Sequence, residues 1–80
     1  MTDEALFEKV AKTMAVVFGV DQSEITADSS MDTIEKWDSL KHMKMIMALE
    51  QEFEVMFDDE DVVEMLSVPL IIIAIKEKLA

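Results

Sequence analysis

The 80-residue chain has no cysteine, no tyrosine and no arginine, and it has only one glycine, one proline and one histidine. Without cysteine it can form no disulfide and offers no thiolate to a metal or a substrate. Its seven cations are lysines scattered along the chain, whereas affinity for nucleic acid comes from clustered basic side chains. Its longest apolar run, residues 68–75, is far shorter than the roughly 20 residues that cross a bilayer. We therefore expect no nucleic-acid partner and no stable membrane insertion.

The chain is instead hydrophobic and strongly acidic. Hydrophobic residues make up 51% of it, too many for a disordered acidic tail, although the net charge is −11. Its length suits one small domain, residues 1–80. The first ten residues lack the basic start and apolar run of a secretory signal, so we expect a cytoplasmic protein.

Acidic side chains concentrate between residues 50 and 64, where no cation occurs. Eight carboxylates lie there: Glu50, Glu52, Glu54, Asp58, Asp59, Glu60, Asp61 and Glu64. Such a surface attracts basic patches on protein partners and speeds encounter with them.

The first half of the chain predicts a helix followed by a long loop. Apolar residues recur at steps of three and four from Asp3 to Phe18, which is helical periodicity. Gly19 follows directly, and glycine suits the left-handed conformation that closes a helix. Residues 20–38 are rich in Asp, Ser and Thr and predict an ordered loop, which at this length usually has a function.

The second half predicts three more helices. Residues 39–54 form a helix with one broad apolar face that we expect to pack against the core. Its members are Leu40, Met43, Ile46, Met47, Leu49 and Phe53. The run DDEDVVEML from Asp58 predicts a short third helix, and Ser67 and Pro69 suit the first turn of a fourth, although the segment IIIAI leaves a buried strand as the alternative. The predicted fold class is all-α, a four-helix bundle with a long first loop and a short third helix.

The tripeptide D-S-L, residues 38–40, stands at the start of the second predicted helix. Alone it reads as a helix cap, in which Asp38 or Ser39 accepts hydrogen bonds from free backbone amides. In an acidic four-helix chain of this length, however, it resembles the attachment motif of an acyl carrier protein. The stretches MIMALEQEF and DDEDVVEML also resemble the second and third helices of that family, so the resemblance covers nearly the whole chain.

The resemblance implies a covalent cofactor and no catalysis by the chain itself. It implies that Ser39 carries a phosphopantetheine arm whose thiol holds acyl groups as thioesters, that Asp38 is recognised by a phosphopantetheinyl transferase, and that Leu40 packs beside the arm and contacts partners. A helix N-terminus suits the phosphodiester, because its free amides and its dipole favour an anion. The expected partners are that transferase and the acyl-loading and acyl-transferring enzymes of lipid, polysaccharide or secondary-metabolite synthesis.

Two further sets of residues are expected to serve this role in a monomeric protein. The docking set combines cations next to the serine with carboxylates that meet basic patches on partner enzymes: Lys41, Lys44, Glu52, Asp59, Glu60 and Glu64. A pliable acyl pocket is predicted in the methionine-rich interior, since unbranched methionine side chains adapt to irregular contents. Its predicted lining is Met43, Ile46, Met47, Met65 and Ile71. No metal ligand and no catalytic residue is predicted.

The sequence also departs from carriers of the central fatty-acid cycle. These usually have glycine before the Asp-Ser pair and an acidic second helix, whereas Trp37 precedes the pair here and Lys41 and Lys44 follow it. The W-D-S-L form resembles specialised carriers that serve polysaccharide, secondary-metabolite or D-alanine transfer. His42 falls toward the apolar side of the helix, where we expect a packed, hydrogen-bonded histidine rather than a catalyst or ligand.

Three alternatives stay open from the sequence alone. A peptidyl or aminoacyl (D-alanyl-type) carrier uses the same arm on a related fold. An acidic helical interaction module with an unmodified Ser39 also accounts for the composition. A calcium sensor fits less well, because DDEDVVE lacks the glycine and the ligand spacing of a calcium loop.

Overall fold

The first helix has the predicted bounds. The computed structural model describes residues 2–80, and α1 runs Asp3–Phe18. Thr2 caps this helix, because its Oγ1 accepts the N–H of Ala5 at 3.1 Å. At the other end Gly19 adopts φ 71°, and its N–H donates to a carbonyl of the last turn, which confirms the left-handed closure.

The other helices follow the predicted order. α2 runs Ser39–Phe53, α3 runs Asp59–Glu64 and α4 runs Val68–Leu79, with no strand formed within residues 2–80. The prediction of an all-α four-helix bundle is confirmed. Ser67 caps α4 through its side chain, so the strand alternative for the last segment is wrong. In the same part of the chain, no helix is long and apolar enough to cross a membrane.

The loop between α1 and α2 is ordered, as predicted. It contains a 3₁₀ helix, Gln22–Glu24, and two backbone hydrogen bonds tie its middle to the start of α4. Met31 N donates to Leu66 O at 2.9 Å, and Val68 N donates to Ser29 O at 2.8 Å. The buried apolar anchors of the loop are Ile25, Ile34 and Trp37. The last of them lies directly before the D-S-L motif, so the start of α2 is anchored in the core.

The core-facing side of α2 differs from the prediction. Its buried residues are His42, Met45, Ile46, Leu49 and Phe53. Leu40, Met43 and Met47, which were expected to pack, are 64%, 50% and 60% exposed, so this part of the prediction is wrong. The reason is that α2 carries apolar side chains on two stripes, and only the stripe at the buried positions packs against α1. We call the other one, Leu40, Met43 and Met47, the exposed stripe.

Candidate functional site

Ser39 is the first residue of α2 and lies on the surface. Asp38 takes the capping role: its Oδ1 accepts the N–H of Lys41 at 2.8 Å, and its backbone oxygen accepts that of His42 at 2.8 Å. The serine side chain therefore has no capping duty. As the first two of the helix, the amides of Ser39 and Leu40 have no intrahelical partner, so this end of α2 can stabilise an anion.

A buried pair of rings holds the start of α2. Trp37 is 2% exposed and packs on Phe18 with ring centroids 5.5 Å apart. His42 is 6% exposed and stacks on Trp37 with centroids 6.0 Å apart, and its Nδ1 accepts the indole N–H at 3.0 Å. Its other ring nitrogen, Nε2, donates to Val62 O at 2.8 Å. The prediction of a packed, hydrogen-bonded His42 is confirmed.

A groove opens beside Ser39, between α2 and the segment that contains α3. It has a volume of about 360 Å³. Its lining residues are Met31, Ser39, His42, Met43, Val62, Val63 and Leu66. Apart from Ser39 and His42 these are all apolar, so the groove offers an apolar surface next to the serine hydroxyl.

The five residues predicted to line an acyl pocket do not meet around this groove. Met43 lines it, whereas Met47 lies on the exposed stripe of α2. The other three are buried in the core: Ile46, Met65 and Ile71. Sequence reasoning missed the wall that faces α2: Val62, Val63 and Leu66. A signal was present, because these apolar residues interrupt the acidic run DDEDVVEML.

The predicted docking residues lie on two surfaces of opposite charge. Half-buried Lys41 and exposed Lys44 lie in the first turns of α2, where residues 39–49 contain no carboxylate. The acidic members are exposed at the end of α2 and on α3: Glu52, Asp59, Glu60 and Glu64. Glu52 is already engaged, since its Oε1 lies 3.8 Å from Lys9 Nζ.

Lys78 of α4 neutralises one side of the acidic α3. Its Nζ lies 3.3 Å from Asp58 Oδ2 and 3.4 Å from Asp61 Oδ2. The backbone N–H of Asp58 donates to Asp61 Oδ2 at 3.0 Å, and this hydrogen bond, helped by Lys78, lowers the pKa of Asp61. Hydrogen bonds to Asp58 and Asp61 raise the pKa of Lys78. No group of three or more His, Asp or Glu side chains among residues 2–80 is placed to hold a metal ion.

Comparison with known proteins agrees with this geometry. A family model described as a phosphopantetheine attachment site matches residues 8–73. The chain is similar to an acyl carrier protein of an Exiguobacterium species, with 37% identity over 79 residues that cover 99% of this chain and 100% of the relative. It is also similar to an acyl carrier protein of Petrotoga mobilis, with 35% identity over 79 residues that cover 99% of this chain and 93% of the relative. The chain belongs to the acyl carrier protein family.

Membership of the family establishes the general function of this acyl carrier. It holds acyl groups on a covalently attached phosphopantetheine and catalyses no reaction itself. The family implies interaction with a phosphopantetheinyl transferase and with other enzymes. Both relatives are acyl carriers by name, so the peptidyl and the unmodified alternatives are not favoured.

Proposed function

We propose that this acyl carrier bears its phosphopantetheine on Ser39, within a single carrier domain of residues 1–80. The observation that carries the proposal is an exposed serine at the N-terminus of α2, with Asp38 supplying the helix cap in its place. The first amides of the helix and its dipole would stabilise the phosphodiester at this position. When bound, the group supplies the thiol that holds the acyl chain as a thioester.

Asp38 and Leu40 complete the proposed attachment motif. Asp38 has a structural duty as the cap of α2, and we assign it a second one in recognition by the transferase. Leu40 is 64% exposed, so its role belongs to the surface rather than to the core. It offers an apolar contact to the arm and to partners that approach it.

The groove beside Ser39 is the proposed resting place of the acyl chain. Its apolar lining removes hydrocarbon from water, which is favourable in proportion to the area buried. Met43 is the predicted pocket residue that lines it. A longer chain would have to displace close-packed core side chains, among them Ile46, Met65 and Ile71. Met47, on the exposed stripe, would contact only a chain or a partner on the surface.

Partner docking is proposed to use both charged surfaces. A complementary partner presents carboxylates to Lys41 and Lys44 and basic patches to the acidic set Glu52, Asp59, Glu60 and Glu64. For a partner that docks beside the attachment serine, Lys44→Glu should lower kcat/KM several-fold, because like charges then face each other. Lys76→Glu on α4 makes the same charge change beside Asp3, at the opposite end of α1 from the contact between Phe18 and Trp37, and is the control. Equal effects of the two substitutions would contradict a role for the lysine beside Ser39.

We propose a cytoplasmic monomer of the specialised type that works outside the central fatty-acid cycle, and the W-D-S-L sequence supports the specialised assignment. Trp37 in this motif is a buried anchor that packs on Phe18 and bonds His42. Lys41 and Lys44 also replace the acidic start of α2 that central-cycle carriers usually have. The cargo class is an acyl group of lipid, polysaccharide or secondary-metabolite synthesis.

The decisive experiment is intact mass after incubation with coenzyme A and a permissive phosphopantetheinyl transferase. We expect a single added phosphopantetheine in the unaltered chain and none in Ser39→Ala. Ser23→Ala, which removes another exposed serine, is the control and should be modified normally. No addition to a folded chain, or an addition that persists in Ser39→Ala, would overturn the assignment.

A further inference from the structure

α3 is short and has little of its own to hold it in place. Its six residues, Asp59–Glu64, include none that is fully buried, although Val62 packs against the core from one side. Lys78 pairs with exposed Asp58 and with half-buried Asp61 at this end of the helix, and ion pairs that solvent reaches contribute little. The other side-chain hydrogen bond that joins it to a helix within residues 2–80 is the one from His42 Nε2 to Val62 O, at 2.8 Å.

The two partners of His42 select one form of its ring. The indole nitrogen of Trp37 can only donate, so Nδ1 must present a lone pair to it. The carbonyl oxygen of Val62 can only accept, so Nε2 must carry the proton. The opposite tautomer would set two donors against each other and two acceptors against each other inside the protein, where water does not replace the lost bonds. Only the neutral Nε2–H form satisfies both neighbours.

We propose that His42 is a positioning residue, a neutral Nε2–H histidine that ties α3 to α2 and thereby sets the width of the groove beside Ser39. The bond crosses the groove, because His42 lines its α2 wall and Val62 lines the opposite wall. Ser39 lies one turn before His42 on the same helix. Ser39 and the hydrogen bond between His42 and Val62 therefore lie at the same groove.

Trp37 fixes the orientation of the His42 ring in this hydrogen bond. It is fixed in the core by Phe18, and it holds the Nδ1 side of His42 so that the donating side faces Val62. When the tie opens, the α3 wall is free to move outward and the groove widens. The inference rests on the proposed function in one respect, since it takes the groove as the site of the acyl chain.

The first test is the tautomer of His42 in the unmodified chain, read from nitrogen-15 spectra of the labelled imidazole at mildly alkaline pH, where an ordinary histidine is neutral. We expect a protonated Nε2 and an unprotonated Nδ1 in a single form. A protonated Nδ1, or an averaged mixture of the two tautomers, would overturn the proposal.

The second test is amide hydrogen exchange in His42→Phe, which keeps a ring but loses both bonds, and in His42→Gln, which keeps a donor and an acceptor. We expect exchange at the Val62 and Met65 amides, which are bonded within α3, to become about fivefold faster in His42→Phe, the factor that an ordinary hydrogen bond is worth. The Val10 amide in α1 should change less, and His42→Gln should restore part of the protection. An equal acceleration at all three amides would mean a merely structural loss and would refute a local tie.

The third test reads the groove itself in protein loaded with an octanoyl arm. The methyl resonances of Val63 and Leu66 should report the chain, and we expect them to differ between the unaltered protein and His42→Phe, with a smaller difference in Trp37→Phe. Identical spectra would refute the effect on groove width. The first two tests use the unmodified chain, so their results do not depend on attachment of the arm to Ser39. Failure of the His42 proposal and failure of the Ser39 proposal can therefore be told apart.

Discussion

Substitutions of Asp38 can separate its role as the cap of α2 from its proposed role in recognition by the transferase. Its Oδ1 accepts the N–H of Lys41 at 2.8 Å, which is the geometry of an N-cap, and replacing such a cap with alanine costs about 1 kcal/mol. In a domain of this size a loss of about 1 kcal/mol lowers Tm by about 4–8 °C. Asp38→Ala should therefore show that decrease, whereas Asp38→Asn and Asp38→Ser should stay close to the unaltered protein, because asparagine and serine cap helices about as well as aspartate.

The assay pairs thermal unfolding with the rate of phosphopantetheine addition measured by intact mass. Thr2→Ala is the matched control, since Thr2 Oγ1 caps α1 through the N–H of Ala5 at 3.1 Å, far along the chain from Ser39. Thr2→Ala should lose similar stability and still be modified normally. If the transferase reads the Asp38 carboxylate, Asp38→Asn should be stable but slowly modified. Unchanged stability of Asp38→Ala, or an Asp38→Asn as unstable as it, would refute the cap, and normal modification of Asp38→Asn would confine Asp38 to capping.

Three further predictions concern stability. Glu54 has φ 55°, where an L-residue is strained by about 1–2 kcal/mol. Glu54→Gly should therefore stabilise the chain by about 0.5–1 kcal/mol in urea unfolding. Gly19→Ala should destabilise the chain by a similar amount through backbone strain alone, because its added Cβ would meet nothing within 4 Å. The lowered pKa of Asp61 contributes stability that is lost as pH falls through the pKa of the folded state. The raised pKa of Lys78 contributes stability that is lost as pH rises through the pKa of that lysine in the folded state. Lys78→Gln should therefore make stability less dependent on pH at both the acidic and the alkaline end. Because the net charge is −11, added salt or millimolar magnesium should raise Tm modestly by screening repulsion, and a Tm flat in both would contradict this.

Local sequence signals predicted the ends of the helices well. Gly19 and Ser67 close and open helices through their own backbone or side chain, so their neighbours in sequence suffice to place them. The prediction that α2 ends at residue 54 missed by one residue, since Glu54 takes the left-handed position after Phe53. Glutamate is strained there, so its residue type gives no warning of the ending.

Tertiary packing decided what the sequence left open. α2 has two apolar stripes, and helical periodicity cannot say which of them meets α1. Met45 was therefore missed as a core residue, and Met43 and Met47 were wrongly placed in the core. The groove beside Ser39 has the same origin, because its two walls come from segments about twenty residues apart that meet only through the fold.

The two stripes of α2 also explain how this acyl carrier combines a stable bundle with an exposed apolar surface. The buried stripe holds α2 to the core, which leaves Leu40, Met43 and Met47 free to stay at the surface beside Ser39. Exposed apolar patches of this kind favour association, including association between identical copies. A net charge of −11 opposes contact between two copies, while a partner with complementary charges is attracted. We therefore propose that the acidity of the chain disfavours self-association through the exposed stripe and leaves the stripe open to partner enzymes.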